Sequence, residues 1–148
     1  MDMREFERLV AEGYERLPEW VRENIRNVAL LVEDEPSEED REAEGLQREE
    51  TLLGLYKGVP LSERGSDYGV GATLPDTITL YRHPILELAH ESVDERASEE
   101  DVREKVREIV ADTVWHEFAH HFGMNEQEVR QREGERGIGD YRAQNGRT

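Results

Sequence analysis

The side chains best suited to chemistry lie in Trp115-His116-Glu117-Phe118-Ala119-His120-His121-Phe122-Gly123-Met124-Asn125-Glu126, which follows the pattern HExxHxxGxxE. His116 and His120 are four residues apart, so on a helix both imidazoles stand on one face, one turn from each other. Two imidazoles so placed are a zinc-binding arrangement. Glu117 lies about 100° round the helix from His116. It can flank a metal without binding it, and is left to take a proton from a coordinated water. A catalytic zinc usually has three protein ligands and an open position. Gly123 tolerates the left-handed conformation that ends helices. A turn there lets Glu126 swing back as the third ligand.

A charged, solvated helix end could carry the same letters by chance. The residues upstream argue against that. Val102, Val106, Ile109 and Thr113 recur at helical spacing, and His116 and His120 continue the stripe. Val110, Val114 and Phe118 widen it. An apolar stripe marks a buried face, so the two histidines belong to the inward side. Asp112, four residues before His116, could hydrogen-bond a ligand imidazole or could be a surface acid. Helical geometry turns His121 away from the His116–His120 face.

The elements that must position this helix can be taken in order. Phe6, Leu9 and Val10 predict an amphipathic helix over residues 2–15, ending near Gly13. Leu17-Pro18 restarts a helix, with Trp20, Val21 and Ile25 as its inner, core-forming face. Val28 to Val32 reads as a buried strand. Residues 33–50 are acidic and read as solvated loop or frayed helix. Thr51 to Tyr56 reads as a second strand, ended by Gly58 and Pro60. Leu61 to Gly71 reads as a polar loop without a dinucleotide pattern. Thr77-Ile78-Thr79-Leu80-Tyr81 alternates, which predicts a strand with one exposed face. Pro84 stops it and opens a helix with Ile85, Leu86, Leu88 and Ala89. His83 and His90 sit in no motif and read as surface histidines. Ser98 and Asp101 predict a capped start to the long helix that ends near Phe122. A polar helix over 125–133 and a loose tail from about 134 follow.

Composition bounds the rest. The 148 residues suit one domain. There is no cysteine, which removes disulfides and thiolate chemistry. The formal net charge of -17 argues against a nucleic-acid partner. No apolar run suits a membrane span or a secretory leader, so the chain reads as cytoplasmic with no membrane partner. Modest hydrophobic content predicts an α+β fold, rich in helix with a short sheet.

The motif set resembles the small bacterial zincin-like metallopeptidases over roughly residues 15–130. Its most specific part is His116 to Gly123 with Glu126. The Gly54-Leu55-Tyr56 strand end, the Gly58-Val59-Pro60-Leu61 turn and Leu74-Pro75-Asp76 before Ile78 to Arg82 support it. The resemblance implies a minimal zincin fold, a small mixed sheet packed against the metal helix and an earlier helix. It implies zinc on His116, His120 and Glu126, with Glu117 as general base. Residues 77–81 look like the edge strand beside which zincins hold an extended peptide. The chain departs from the larger zincins after the motif, where 22 residues remain and no methionine turn is found.

The reaction so implied is zinc-dependent hydrolysis of peptide bonds in a peptide or protein substrate. Tyr81, Arg82, His83 and Tyr141 are candidate oxyanion donors. Two other readings use the same residues. One is a zinc-stabilised structural or interaction module, against which Glu117 speaks. The other is hydrolysis of a non-peptide amide.

Overall fold

The computed structural model describes residues 1–45, 52–58 and 75–121. The loop at 61–71, the Gly123 turn, Glu126, Tyr141, the 125–133 helix and the tail lie outside the described residues. The elements in order are α1 (Met3–Tyr14), α2 (Glu19–Asn24), β1 (Ala29–Glu33), α3 (Glu38–Ala43), β2 (Gly54–Lys57), β3 (Thr77–Tyr81), α4 (Arg82–Ser92) and α5 (Glu99–His121). The fold is α+β, with a mixed three-stranded sheet packed on helices. Among the described residues no helix is long and apolar enough to cross a membrane.

Local chemistry explains where the helices begin. Asp2 accepts the Glu5 N–H at 2.8 Å and caps α1. At α5 the cap is reciprocal. Ser98 Oγ accepts the Asp101 N–H at 3.1 Å, and Asp101 Oδ2 accepts the Ser98 N–H at 3.0 Å. Glu99, Glu100 and Asp101 in the first turn also complement the positive end of the helix dipole. The acidic stretch after β1 contains a capped helix, α3, where Ser37 Oγ accepts the Asp40 N–H at 3.0 Å. Its end is marked by Gly45 at φ 68°, a conformation that favours glycine.

α5 is the axis of the core. Its first turns show a one-sided apolar stripe, as the sequence predicts. From Ile109 to Ala119 it is buried on nearly every side, Glu117 being the half-buried exception. α1, α4 and the sheet surround it. α1 comes especially close: a Cβ at Gly13 would stand 2.9 Å from the Arg107 carbonyl oxygen and from Val110 Cβ. In an exposed helix, glycine to alanine is favourable by about 0.5–1 kcal/mol. Here the seam has no room, so Gly13→Ala is expected to destabilise by about 1–3 kcal/mol. Thermal unfolding should show a Tm lowered by roughly 3–10 °C; an unchanged or raised Tm would mean the seam opens freely.

The sheet has the order β1-β3-β2, with β1 parallel and β2 antiparallel to β3. This corrects the expectation for residues 77–81. β3 is the central strand, paired along both edges, and has no edge to offer a peptide. Nor does it have an exposed face, since Ile78, Thr79, Leu80 and Tyr81 are all buried. The Ile78 and Leu80 side lies against α5. The Thr79 and Tyr81 side is shared with Lys57, whose Nζ stands 2.7 Å from Asp40 Oδ1 of α3. β1 is in turn an edge strand of the described sheet rather than a buried strand, and Leu31 is 46% exposed.

Trp20 also departs from expectation. It is 38% exposed, at the rim rather than in the core. Its ring meets Trp115 and Phe118 edge-on, each at a centroid distance of 5.8 Å. Val21 and Ile25 from the same segment are fully buried, as expected.

Candidate metal centre and its frame

The last turns of α5 carry His116, Glu117 and His120. The imidazoles of His116 and His120 meet edge-to-face with centroids 4.4 Å apart. His116 is 5% exposed and His120 lies at the surface. The pair therefore spans from core to solvent. A metal held between them would be gripped from the protein side and reachable from the other. Two adjoining imidazoles suit zinc, which takes nitrogen and oxygen donors. Among the described residues no third acidic, histidine or cysteine side chain joins them. The third donor of a zinc site must come from elsewhere, and Glu126 lies outside the described residues. Asp112 is buried one turn before His116, which removes its reading as a surface acid.

β2 frames the site from the side. The Tyr81 N–H donates to the Leu53 carbonyl at 3.0 Å, so residues 53, 55 and 57 face β3 with their main-chain groups. Gly54 and Tyr56 then turn theirs off the outer edge. No further strand pairs with that edge among the described residues. Their side-chain positions face α5. A Cβ on Gly54 would stand 2.8 Å from Thr113 Cγ2, so only glycine lets β2 lie this close to the helix.

Tyr56 touches the site with its main chain, its ring and its hydroxyl. Its N–H donates to Glu117 Oε1 at 2.9 Å. Its ring stacks on His121 at 3.9 Å and 15°. Its hydroxyl donates to Asp76 Oδ2 at 2.7 Å. His121 Nε2 stands 3.9 Å from the same carboxylate oxygen. His121 is thus directed towards β2 and Asp76, in keeping with its expected divergence from the His116–His120 pair. Neither Tyr56 nor Asp76 has a spacing in the sequence that ties it to the motif.

The oxyanion candidates fare differently. Tyr81 alternates with Leu80, so its side chain lies on the sheet face away from α5. It is fully buried, and its hydroxyl has no hydrogen-bond partner among the described residues. Burial, and then the negative charges of Asp40, Glu33, Glu117 and Glu44, push its pKa up to about 12. Arg82 is committed to Asp34 Oδ1 at 2.8 Å and to the Met1 carbonyl at 2.6 Å. His83 is exposed, with Nδ1 3.3 Å from Glu35 Oε1. His90 is exposed as well. Tyr81 is thus on the far face of the sheet, Arg82 and His83 are engaged with the segment after β1, and Tyr141 lies outside the described residues.

The model of the zincin-like metallopeptidase family matches residues 25–136. A conserved hypothetical protein from Thermus thermophilus has a similar solved structure, at 21% identity and a TM-score of 0.45, covering 82% of this chain and 94% of that one. No curated protein matches the chain.

Proposed function

Because this chain belongs to the zincin-like metallopeptidases, we propose that it hydrolyses peptide bonds, with zinc held by His116, His120 and Glu126 and with Glu117 as general base. The observation that carries the reading is the pairing of two adjoining imidazoles, one turn apart on α5, with a carboxylate held at the edge of β2. Glu117 is turned to the edge of β2 while the His116 and His120 rings meet one another. A zinc ion bound at such a site supplies acidification of a coordinated water, towards a pKa of about 7, and polarisation of the scissile carbonyl.

The chain's own residues do the rest. Glu117 accepts the proton of the attacking water and delivers it to the departing amine. His116, anchored in the core, gives the site a rigid side. The strand that serves an extended peptide is β2 rather than β3, because β2 borders α5 and has an outer edge. Gly54 turns both an N–H and a carbonyl off that edge, and main-chain pairing of this kind reads backbone more than side chain.

The test is a broad library of fluorescence-quenched peptides offered to the zinc-loaded protein, with and without a chelator. Cleavage is expected to vanish on chelation and to return with stoichiometric zinc. Protein shown to hold zinc that cleaves nothing across the library would favour a zinc-stabilised module over a peptidase.

A further inference from the structure

The geometry points to Tyr56 as a positioning residue for Glu117, acting through its main-chain N–H. This rests on the reading of Glu117 as the base. A carboxylate offers two oxygens. Oε1 accepts the Tyr56 N–H at 2.9 Å, which fixes how the carboxylate is turned at the edge of β2. A free glutamate side chain would sample many rotamers, and each wrong one costs rate. A hydrogen bond to an ionised acceptor is about twice as strong as a neutral one, so it can hold the right rotamer.

An anchor is useful only if it is itself fixed, and Tyr56 is fixed from three directions. Its backbone is set by the β2–β3 register opposite Ile78. Its ring lies flat on His121, on the same helix as Glu117. Its hydroxyl is tied to Asp76, just before β3. The side chain thus clamps strand to helix at the point where the main chain reaches the carboxylate.

A second consequence concerns substrate. Gly54 and Tyr56 are the two residues of β2 whose main-chain groups point off the outer edge. With the Tyr56 N–H occupied by Glu117, a peptide on β2 is left with Gly54 as its donor. The Tyr56 N–H therefore serves the rate and not the affinity for substrate.

Two measurements on the full, zinc-loaded chain test this. The first is amide hydrogen exchange at Tyr56, which needs no substrate. Glu117→Ala should accelerate it about tenfold, while the Leu55 amide, which faces β3, stays protected. No acceleration would mean the contact is not made, and would overturn the proposal. The second replaces residue 56 by the α-hydroxy analogue of tyrosine, which keeps ring and hydroxyl and puts an ester oxygen in place of the N–H, with the same analogue at residue 54 as the control for the ester itself. We expect kcat to fall about ten- to a hundredfold, the scale of a misplaced catalytic group, with KM and zinc content unchanged. A raised KM with kcat intact would show that the N–H docks substrate, and unchanged kinetics would show that it does nothing; either overturns the proposal. A parent chain that holds zinc and cleaves nothing overturns the peptidase reading together with this catalytic role. A parent that cleaves, with exchange at Tyr56 indifferent to Glu117→Ala, overturns this inference alone.

Discussion

Glu117→Gln is expected to lower the rate of peptide hydrolysis by roughly two to four powers of ten, the usual scale for a positioned acid–base group, while zinc content stays near that of the parent. Glutamine keeps the size of the side chain and keeps a carbonyl oxygen to accept the Tyr56 N–H. It lacks the basic carboxylate. The half-buried position at the edge of β2 should therefore stay packed, and the loss should fall on kcat. Zinc stoichiometry and initial rate must be measured on the same preparations. A surviving rate with zinc in place would remove Glu117 as the base. Loss of the metal would place Glu117 among its ligands, against the helix geometry that sets its side chain off the line from His116 to His120.

His116→Ala and Glu126→Ala are expected to weaken zinc binding more than about a hundredfold, since even outer-shell changes cost 10–100-fold. His116 is 5% exposed, so its removal also leaves a void in the core. Competition with a chelator of known affinity gives the binding change, and thermal unfolding of the metal-free proteins gives the packing change. Undiminished zinc affinity in Glu126→Ala would exclude it as a ligand and turn attention to other donors near the end of α5.

What the sequence makes legible is what depends on neighbours within a turn or two. The spacing of His116 and His120, the Ser98 cap and the apolar residues from Val102 to Phe118 are local, and α5 follows from them. The frame of the site is not local. Tyr56 meets Glu117 across 61 positions and Asp76 across 20. No periodicity marks such a pair before the sheet brings them together. The placing of β3 failed for a related reason. Its threonines read as a solvent face, yet Thr79 is 6% exposed in the central strand, with Leu31 and Leu55 on either side of it. Trp20 falls on the inward phase of a helix, but α2 has only six residues and ends at the rim, so phase alone does not bury it.

The order of the strands also bears on how the chain is made. The middle of the sheet is the last of its strands to leave the ribosome. Until residue 81 has emerged, β1 and β2 have no partner in the described sheet, because each pairs only with β3. The helix they rest on comes later still, at Glu99–His121. α1 waits longest, since the close seam at Gly13 needs residues 107 and 110. Early in synthesis the nascent chain therefore carries two strand edges that could pair wrongly. The acidic run from Glu33 to Glu44 sits between those strands and repels like copies of itself. A release series of stalled chains, probed by protease, should show protection rising late and in one step as α5 becomes available, rather than strand by strand.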